Sequence, residues 1–499
     1  MGTEVPVDSV SRVPVVGATG FVGRAIVERL AAHGHSVVAI SRHADARLAR
    51  AGVELVERDA NDEEGMAEAL RGVDVAFYLV HSMQEEGFRD RDRALALAFG
   101  RAAAAARLER IVYLGGLGDA PASEHLASRQ EVGSLLGAAG VPVVELRAAI
   151  VIGAGSISFE MLRYLTERLP LMVCPRWVRT RIEPIGKRDL LDYLECAMTV
   201  APGVYELGGH EVTTYRDMIQ AYAKARGLRR RFIVDVPLLT TRLSSYWVDA
   251  VTPVDRSVSH ALVESLSTEV VVRDPVHTRA AFPGVHPVGV ADAIREALDR
   301  QVERAADDLF ERDADVVDGV SSMRVELTID ARLESAISAD LARVGGDYRW
   351  YGAVRGWRLR VALGWLLGER LRLQRGARPL ALGTAVDWWT VARTAPGELV
   401  LRDRSWVPGE AWLGYRVGAG RLLTVGAMRT RGVPGLLYWL ALRPIHRRVF
   451  VAMARERVMR ADAKERVARP AARTRCEPDS RGRGAFPARG STAGGPKRS

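Results

Sequence analysis

Residues 12–310 predict an α/β fold of Rossmann type, a doubly wound parallel sheet with a small substrate subdomain, and three observations carry that reading. Short apolar runs alternate with helical patterns from residue 13 to about 150. A glycine-rich turn joins the first run to the first helical pattern. Neither of these early features is matched by the composition after residue 320, where tryptophan and alternating apolar residues predict a separate α+β region.

Taken in order, the apolar runs are Val13–Val16, Val37–Ile40, Val53–Val56, Val75–Leu79, Ile111–Leu114 and Val143–Leu146. Between them lie the helical patterns Phe21–Ala32, Glu63–Leu70, an Ala-rich stretch around Arg91–Arg107, and Glu124–Ala139. Runs short enough to be strands, separated by helices, build a parallel sheet covered on both faces. Pro14 stands out inside the first run, because proline donates no ladder hydrogen bond. From about 150 to 310 the pattern stays mixed but prolines break it more often (Pro170, Pro175, Pro184, Pro237, Pro253, Pro275, Pro283), which suits a smaller cap beside the carboxyl ends of the strands.

The acidic stretch within 305–319 lacks a strong apolar pattern, so a linker is placed at 311–322, after an N-terminal extension at 1–11. Eight of the ten tryptophans fall between Trp350 and Trp439. Arg324–Ile329, Ala385–Val391, Leu399–Asp403, Ala411–Val417 and Arg421–Ala427 alternate as antiparallel strands do, and Leu436–Arg460 reads as one long amphipathic helix, with Pro444 a candidate kink. These place the second region at 323–465. The remaining 466–499 is basic and, from Pro470, rich in Gly, Pro, Ser and Arg, the composition of a disordered tail.

Hydrophobic residues at 48% and charged ones at 26% exclude a wholly disordered, collagen-like or membrane-embedded chain. Three cysteines, Cys174, Cys196 and Cys476, make neither a disulfide framework nor a zinc site, so no metal is expected. No signal peptide and no run long enough to span a membrane is visible; the stretches Val361–Leu367 and Leu436–Leu442 are short and flanked by arginine, and a cytoplasmic location is expected. The net charge of +10 is unevenly spread: 37 Lys+Arg against 46 Asp+Glu in 1–320 (−9), 27 against 13 in 321–469 (+14), 7 against 2 in 470–499 (+5). Such a contrast marks a boundary, and a possible docking of one region on the other within one chain or across a homodimer. Lysine occurs only at 187, 224, 464 and 497. With no helix-turn-helix, zinc finger or RNA-binding aromatic motif, no specific nucleic-acid partner is expected.

The strongest local motif is Gly17-x-x-Gly20-x-x-Gly23. Gly17 permits a tight turn, Gly20 lets a pyrophosphate approach the backbone, and Gly23 lets the helix pack on the strand, so that phosphates rest on the helix N-terminus. Thr19, Phe21 and Val22 complete the loop as candidate cofactor contacts. The second strand ends in Ser41-Arg42-His43 rather than in a carboxylate. A hydroxyl and a guanidinium there favour a 2′-phosphate, hence NADP(H) over NAD(H), unless Arg42 is one more arginine of an arginine-rich chain. Asp59 could hold the adenine amino group, or be a solvated turn residue.

The segments GATGFVG (17–23), RDA (58–60), YLVHSM (78–83) and LRAAIVIGAG (146–155) resemble the atypical and extended short-chain dehydrogenase/reductase superfamily, the branch with NmrA-like regulators and the NADPH-binding accessory subunit of respiratory complex I. The resemblance implies an NAD(P)H-binding fold, with Ala60, Val80, Leu114 and Gly115 as candidate cofactor contacts; His81, which follows the fourth run where the chain passes the cofactor, is a candidate ribose or substrate contact, or an ordinary loop residue. LGTAVDWWTV (382–391), PGEAWLGY (408–415) and the 436–450 helix resemble domain-of-unknown-function family 2867, similar to START-like helix-grip folds with an apolar cavity. There, Trp388, Trp389, Trp406 and Trp412 either line a cavity for a small apolar ligand or fill a core.

Active members of the superfamily carry Ser…Tyr-x-x-x-Lys. Here the fifth run ends Leu114-Gly115-Gly116, Ser123 comes later, and the place of Tyr-x-x-x-Lys is taken by His125-x-x-x-Arg129. Those two side chains share a helix face. Histidine can move a proton near neutrality and arginine can hold a ribose hydroxyl, so His125 and Arg129 are the candidate catalytic pair. Equally, His125 is an ordinary residue on a helix whose catalysis is lost. Arg176, Trp177, Arg179 and Arg181 are candidate substrate-cleft residues, or exposed cations. Two functions follow: a reductase of an apolar carbonyl or quinone-like compound, or a catalytically silent NADP(H) sensor or assembly factor.

Overall fold

The computed structural model describes residues 11–82, 87–118, 124–236, 268–307, 309–310, 316–317, 320–345, 380–405, 407–430 and 432–473. Ser123, Trp350, Trp357, Trp365, Trp406, Cys476, the stretch 361–367 and most of the expected linker and tail lie outside them. The chain forms two compact units: Met1–Met323 with Val407–Trp412 and Ala427–Arg443, and Arg324–Trp406 with Leu413–Gly426 and Pro444–Ser499.

The first unit begins with β1 (Arg12–Val16), α1 (Phe21–Ala32), β2 (Ser36–Ser41), β3 (Val53–Glu57), α2 (Glu63–Ala69), β4 (Val75–Tyr78), α3 (Phe88–Ala105), β5 (Arg110–Gly116), α4 (Glu124–Leu136) and β6 (Val143–Ala148). It continues with β7 (Val151–Ile152), α5 (Ile157–Arg168), β8 (Leu171–Cys174), β9 (Arg181–Ile182), β10 (Ile185–Gly186), α6 (Lys187–Cys196), β11 (Gly203–Leu207), β12 (Thr213–Thr214), α7 (Tyr215–Ala225), β13 (Phe232–Asp235), α8 (Pro275–Ala281) and α9 (Val290–Asp307).

Seven strands form one sheet in the order β11-β6-β5-β4-β1-β2-β3, and every pairing in it is parallel. This is the doubly wound arrangement predicted from the alternation, with its switch point between β1 and β4. Alternate residues feed opposite cores: Val13 and Val15 pack with Ile26, Leu30 and Leu190, whereas Val16 packs with Tyr78, Phe99 and Tyr113. Helices on both sides therefore leave the strands buried on both faces. Pro14 fits because of where β4 stops. Leu79 N–H donates to Val16 O, so the even-numbered residues of β1 aim their backbone at β4, and β4 pairs only with Val15 and Val16. The donor that proline lacks falls beyond that pairing.

A second core holds Phe159, Leu162, Trp177, Tyr215, Tyr222 and Ile294, from the elements that follow β6. Short pairs β7–β10, β9–β12 and β8–β13 complete this subdomain.

The sheet-rich region contains β14 (Val316–Val317), β15 (Val320–Thr328), α10 (Glu334–Leu341), β16 (Ala385–Val386), β17 (Trp389–Ala395), β18 (Glu398–Asp403), β19 (Gly409–Gly418), β20 (Arg421–Thr430) and the 42-residue α11 (Gly432–Arg473). Its seven strands run in the order β14-β15-β20-β19-β18-β17-β16. Ala419 and Gly420, both at positive φ (50° and 71°), make the two-residue turn of the β19–β20 hairpin. Phe450, Met453, Ala454, Arg457 and Ala461 form the buried stripe of α11. A Cβ on Gly426 would lie 2.1 Å from the Phe450 ring, so glycine there lets the helix close on the sheet. Helix α11 passes through both Pro444 and Pro470 and ends at Arg473, beyond the boundary at 465 drawn from composition.

Candidate functional site

The carboxyl ends of β1 and β4 meet at the glycine turn. Gly17 has φ 87°, and a Cβ on it would lie 2.8 Å from the carbonyl of Leu79, the residue that follows β4. A Cβ on Gly23 would lie 2.1 Å from Gly17 O. Both glycines are thus demanded by contact, not only by turn geometry. Gly20 caps α1 without a side-chain hydrogen bond, and the first turn of α1 has no acidic residue. Its first N–H groups have no intrahelical partner, and only Gly17 O approaches a Cβ built on Gly20. Thr19 and Gly20 are exposed, Phe21 and Val22 half-buried. An anion can reach this helix end, which is the chemistry a dinucleotide phosphate needs.

At the end of β2, Ser41 Oγ donates to His43 O (2.8 Å), and Arg42 is exposed. Sequence reasoning missed Asp45 and Arg24. Asp45 caps the short 3-10 turn Ala46–Leu48, accepting from Arg47 N (3.1 Å) and Arg47 Nε (2.9 Å), while Arg24 of α1 reaches it at 2.6 Å. The Arg47 hydrogen bond above all holds the Asp45 carboxyl below its usual range. The signal was present as an Asx-type cap, Asp45-Ala46-Arg47, four residues past the strand. Asp59 is exposed and accepts from Asn61 N (3.0 Å), whereas Ala60 is buried.

Behind the glycine turn stand β4, β5 and α4. Val80 is half-buried and His81 retains solvent access. Leu114 is buried, and Gly115 packs on the Glu145 carboxylate, which would lie 2.8 Å from a Cβ. Arg129 donates from Nη2 to Leu114 O, Tyr113 OH donates to Arg129 O (2.7 Å), and the Arg129 guanidinium lies 5.7 Å from the Tyr113 ring centroid. His125 Nδ1 is buried with no hydrogen-bond partner. Desolvation first, then the charge of Arg129, brings the His125 pKa down to about 4, so its imidazole is neutral at pH 7. His81 is exposed at its surface, yet the crowding of protein around its ring, then the charges of Arg129 and His125, lowers its pKa as well. The fold therefore gathers His81, His125 and Arg129 from two elements. Asp92 of α3 joins them: its buried carboxylate accepts from Ser82 N (2.8 Å) and Ser128 Oγ (3.4 Å), and desolvation raises its pKa. An acidic residue on an Ala-rich helix gave no sequence signal of this role.

Other candidates stand apart. Trp177 is buried in the second core, edge-on to Tyr215 at 5.7 Å. Arg179 pairs with Asp235 and Arg181 with Glu269 (2.8 Å). Trp388, Trp389 and Trp412 are 4%, 5% and 1% exposed, as core residues are. Among the described residues no three His, Cys, Asp or Glu side chains form a metal group, and no helix is long and apolar enough to cross a membrane.

Residues 9–145 match the NmrA-like family. Residues 313–453 match a second family, described as a protein of unknown function (DUF2867). Isoflavone reductase homolog P3 of Arabidopsis thaliana is 34% identical over 84 residues, 15% of this chain and 27% of that protein. The 2-alkyl-3-oxoalkanoate reductase of Shewanella oneidensis is 36% identical over 81 residues, 16% of this chain and 21% of that protein. The chain thus spans about a quarter of the length of these curated relatives. Among solved structures, the Citrobacter sp. triphenylmethane reductase complexed with NADP(H) is 19% identical, with a TM-score of 0.46 over 57% of this chain and 99% of that one. The NmrA-like match covers the whole glycine turn, β4, β5 and α4.

Proposed function

We propose that this chain binds NADP(H) in preference to NAD(H) and reduces an apolar carbonyl or quinone-like compound. One observation carries the binding: the bare, uncapped N-terminus of α1 at the switch point, opened by Gly17 and Gly23. Arg42 after β2, with Arg24 of α1 and Arg47 of the 3-10 turn, favours the 2′-phosphate, since the one nearby carboxylate, Asp45, is engaged by Arg24 and Arg47. The residues fit the dinucleotide, which supplies a hydride to the substrate. Two of the curated relatives are named reductases and a third, of Dictyostelium discoideum, a dehydrogenase, which supports hydride-transfer chemistry; the reducing direction is our reading of it.

His125 is neutral, so it acts as a hydrogen-bond donor that polarises the substrate oxygen rather than as an imidazolium acid, and the oxygen left anionic by hydride transfer takes its proton from solvent water. Arg129, anchored on Leu114 O, holds the end of β5 in place beside it. A second reading has its own support: with neither Tyr-x-x-x-Lys nor a protonated histidine, the site suits a silent NADP(H) sensor.

Titration with NADPH and NADH, followed by NADPH oxidation across quinones and aromatic ketones, separates the two. We expect tighter NADPH binding and turnover that falls about 100-fold or more in His125→Ala. Tight NADPH binding without turnover of any substrate leaves the sensor reading standing alone.

A further inference from the structure

We propose that the exposed face of α11 between Leu436 and Arg448 docks this protein on an anionic lipid surface, lying in the interface without crossing the bilayer. Helix α11 already buries its other side: Trp439, Phe450, Met453, Ala454 and Arg457 are inside the protein. Large apolar side chains nevertheless stand in solvent opposite them. Leu437 is 61% exposed, Leu440 and Ile445 54% each, and Leu436 38%. Ala441 and Pro444 are exposed as well.

Spacing makes these residues one surface. Leu437, Leu440, Ala441, Pro444 and Ile445 stand at i, i+3, i+4, i+7 and i+8, the repeat that lines one side of a helix. Trp439, Phe450 and Arg457 fall on the far side by the same repeat. The helix is therefore apolar toward the protein and apolar again toward solvent, and a contiguous apolar stripe in solvent marks a surface that meets something else.

Charge identifies the occupant. From Gly432 to Arg455 the helix carries Arg443, Arg447, Arg448 and Arg455, and no aspartate or glutamate. Arg447, Arg448 and Arg455 are exposed, and Arg448 continues the stripe about three turns on from Leu437. An apolar stripe running into arginines suits a bilayer surface, where acyl chains take the leucines and anionic headgroups meet the guanidinium groups. A second copy of the chain suits it less well. A symmetric contact brings the same arginines together, and this length of helix has no carboxylate to answer them. Nucleic acid answers the charge but leaves the leucines in water.

The test mixes the full chain with vesicles of phosphatidylcholine, with and without phosphatidylserine, and reads the bound fraction by sedimentation. Wild type should prefer the phosphatidylserine vesicles by about tenfold or more, and added salt should weaken that preference. Leu437→Gln combined with Leu440→Gln should lower affinity for those vesicles about tenfold. Arg447→Gln combined with Arg448→Gln should lose a similar factor, about tenfold, on phosphatidylserine vesicles and almost nothing on phosphatidylcholine alone. All four side chains are exposed, so unchanged thermal melting reports that each variant is folded. Failure of wild type to bind phosphatidylserine vesicles overturns the proposal. So does binding that the leucine variant keeps in full, which assigns it to the basic charge of the chain at large, residues 470–499 included. A dimer that the leucine variant splits, with no vesicle binding, overturns it too and makes the face a contact between copies.

Discussion

His125 shows how a single side chain can hold both a functional and a stability signature. Its pKa falls from 6.5 unfolded to about 4 folded, chiefly through desolvation. Between those values the unfolded chain binds more protons, so stability is full above pH 6.5 and is lost as the pH falls toward 4. The shift corresponds to at most about 3 kcal/mol. Urea unfolding of wild type and His125→Gln at pH 7.5 and 4.5 should show a smaller acid loss in the variant; identical losses would refute the burial of this imidazole. Gly23 makes a cruder demand. With a Cβ only 2.1 Å from Gly17 O, Gly23→Ala must push α1 off β1, at a cost of about 2–4 kcal/mol and with loss of NADPH binding, read by thermal melting and titration. The glycines were legible in the sequence because their spacing between strand and helix is a local pattern, although the Leu79 contact that also demands Gly17 is not. The neutrality of His125 was not, because it depends chiefly on how far the fold buries the ring, which the helix sequence alone does not show.

At the scale of elements, the apolar runs and helical patterns of residues 13–150 were legible because a doubly buried parallel strand can only be apolar. Pro14 could not be placed without knowing that β4 pairs with β1 only at Val15 and Val16. Helix α6 hid a different feature. Asp189 in its first turn is 3% exposed and accepts from Val288 N (3.0 Å), yet desolvation lifts its pKa from 3.8 to about 6. Here the folded state binds more protons, so stability falls as the pH rises from 4 to 6 and the full penalty stands at pH 7. Asp189→Asn keeps an oxygen for Val288 N–H and removes the buried charge. It should stabilise the protein by about 1–3 kcal/mol at pH 7.5 and by nearly nothing at pH 3.5. A variant less stable at pH 7.5 would show that the carboxylate serves the helix end more than burial penalises it.

Across the whole molecule, sequence and structure divide the chain by different criteria. Composition and charge change sign near residue 320, yet the first unit takes in Val407–Trp412 and Ala427–Arg443. That recruitment was illegible in the sequence because it depends on single charges. Arg226, 6% exposed, donates to Glu167 (3.0 Å) and to Glu410 (3.2 Å), and Arg429, 1% exposed, donates to Glu410 as well (3.1 Å). Two buried guanidinium groups thus share a carboxylate that lies 184 residues from Arg226 in sequence. Removing one partner of a buried pair leaves the other charge desolvated, which is far costlier than the pair is stabilising. Glu410→Gln should therefore lose about 2–4 kcal/mol in urea unfolding, despite lying outside both the glycine turn and α4. A fragment ending at Met323 loses Glu410 altogether and should unfold at a lower urea concentration than the same unit in the full chain. An equal midpoint would mean that Arg226 is satisfied by Glu167 alone, and that the N-terminal part of the first unit folds independently of its Val407–Trp412 and Ala427–Arg443 segments.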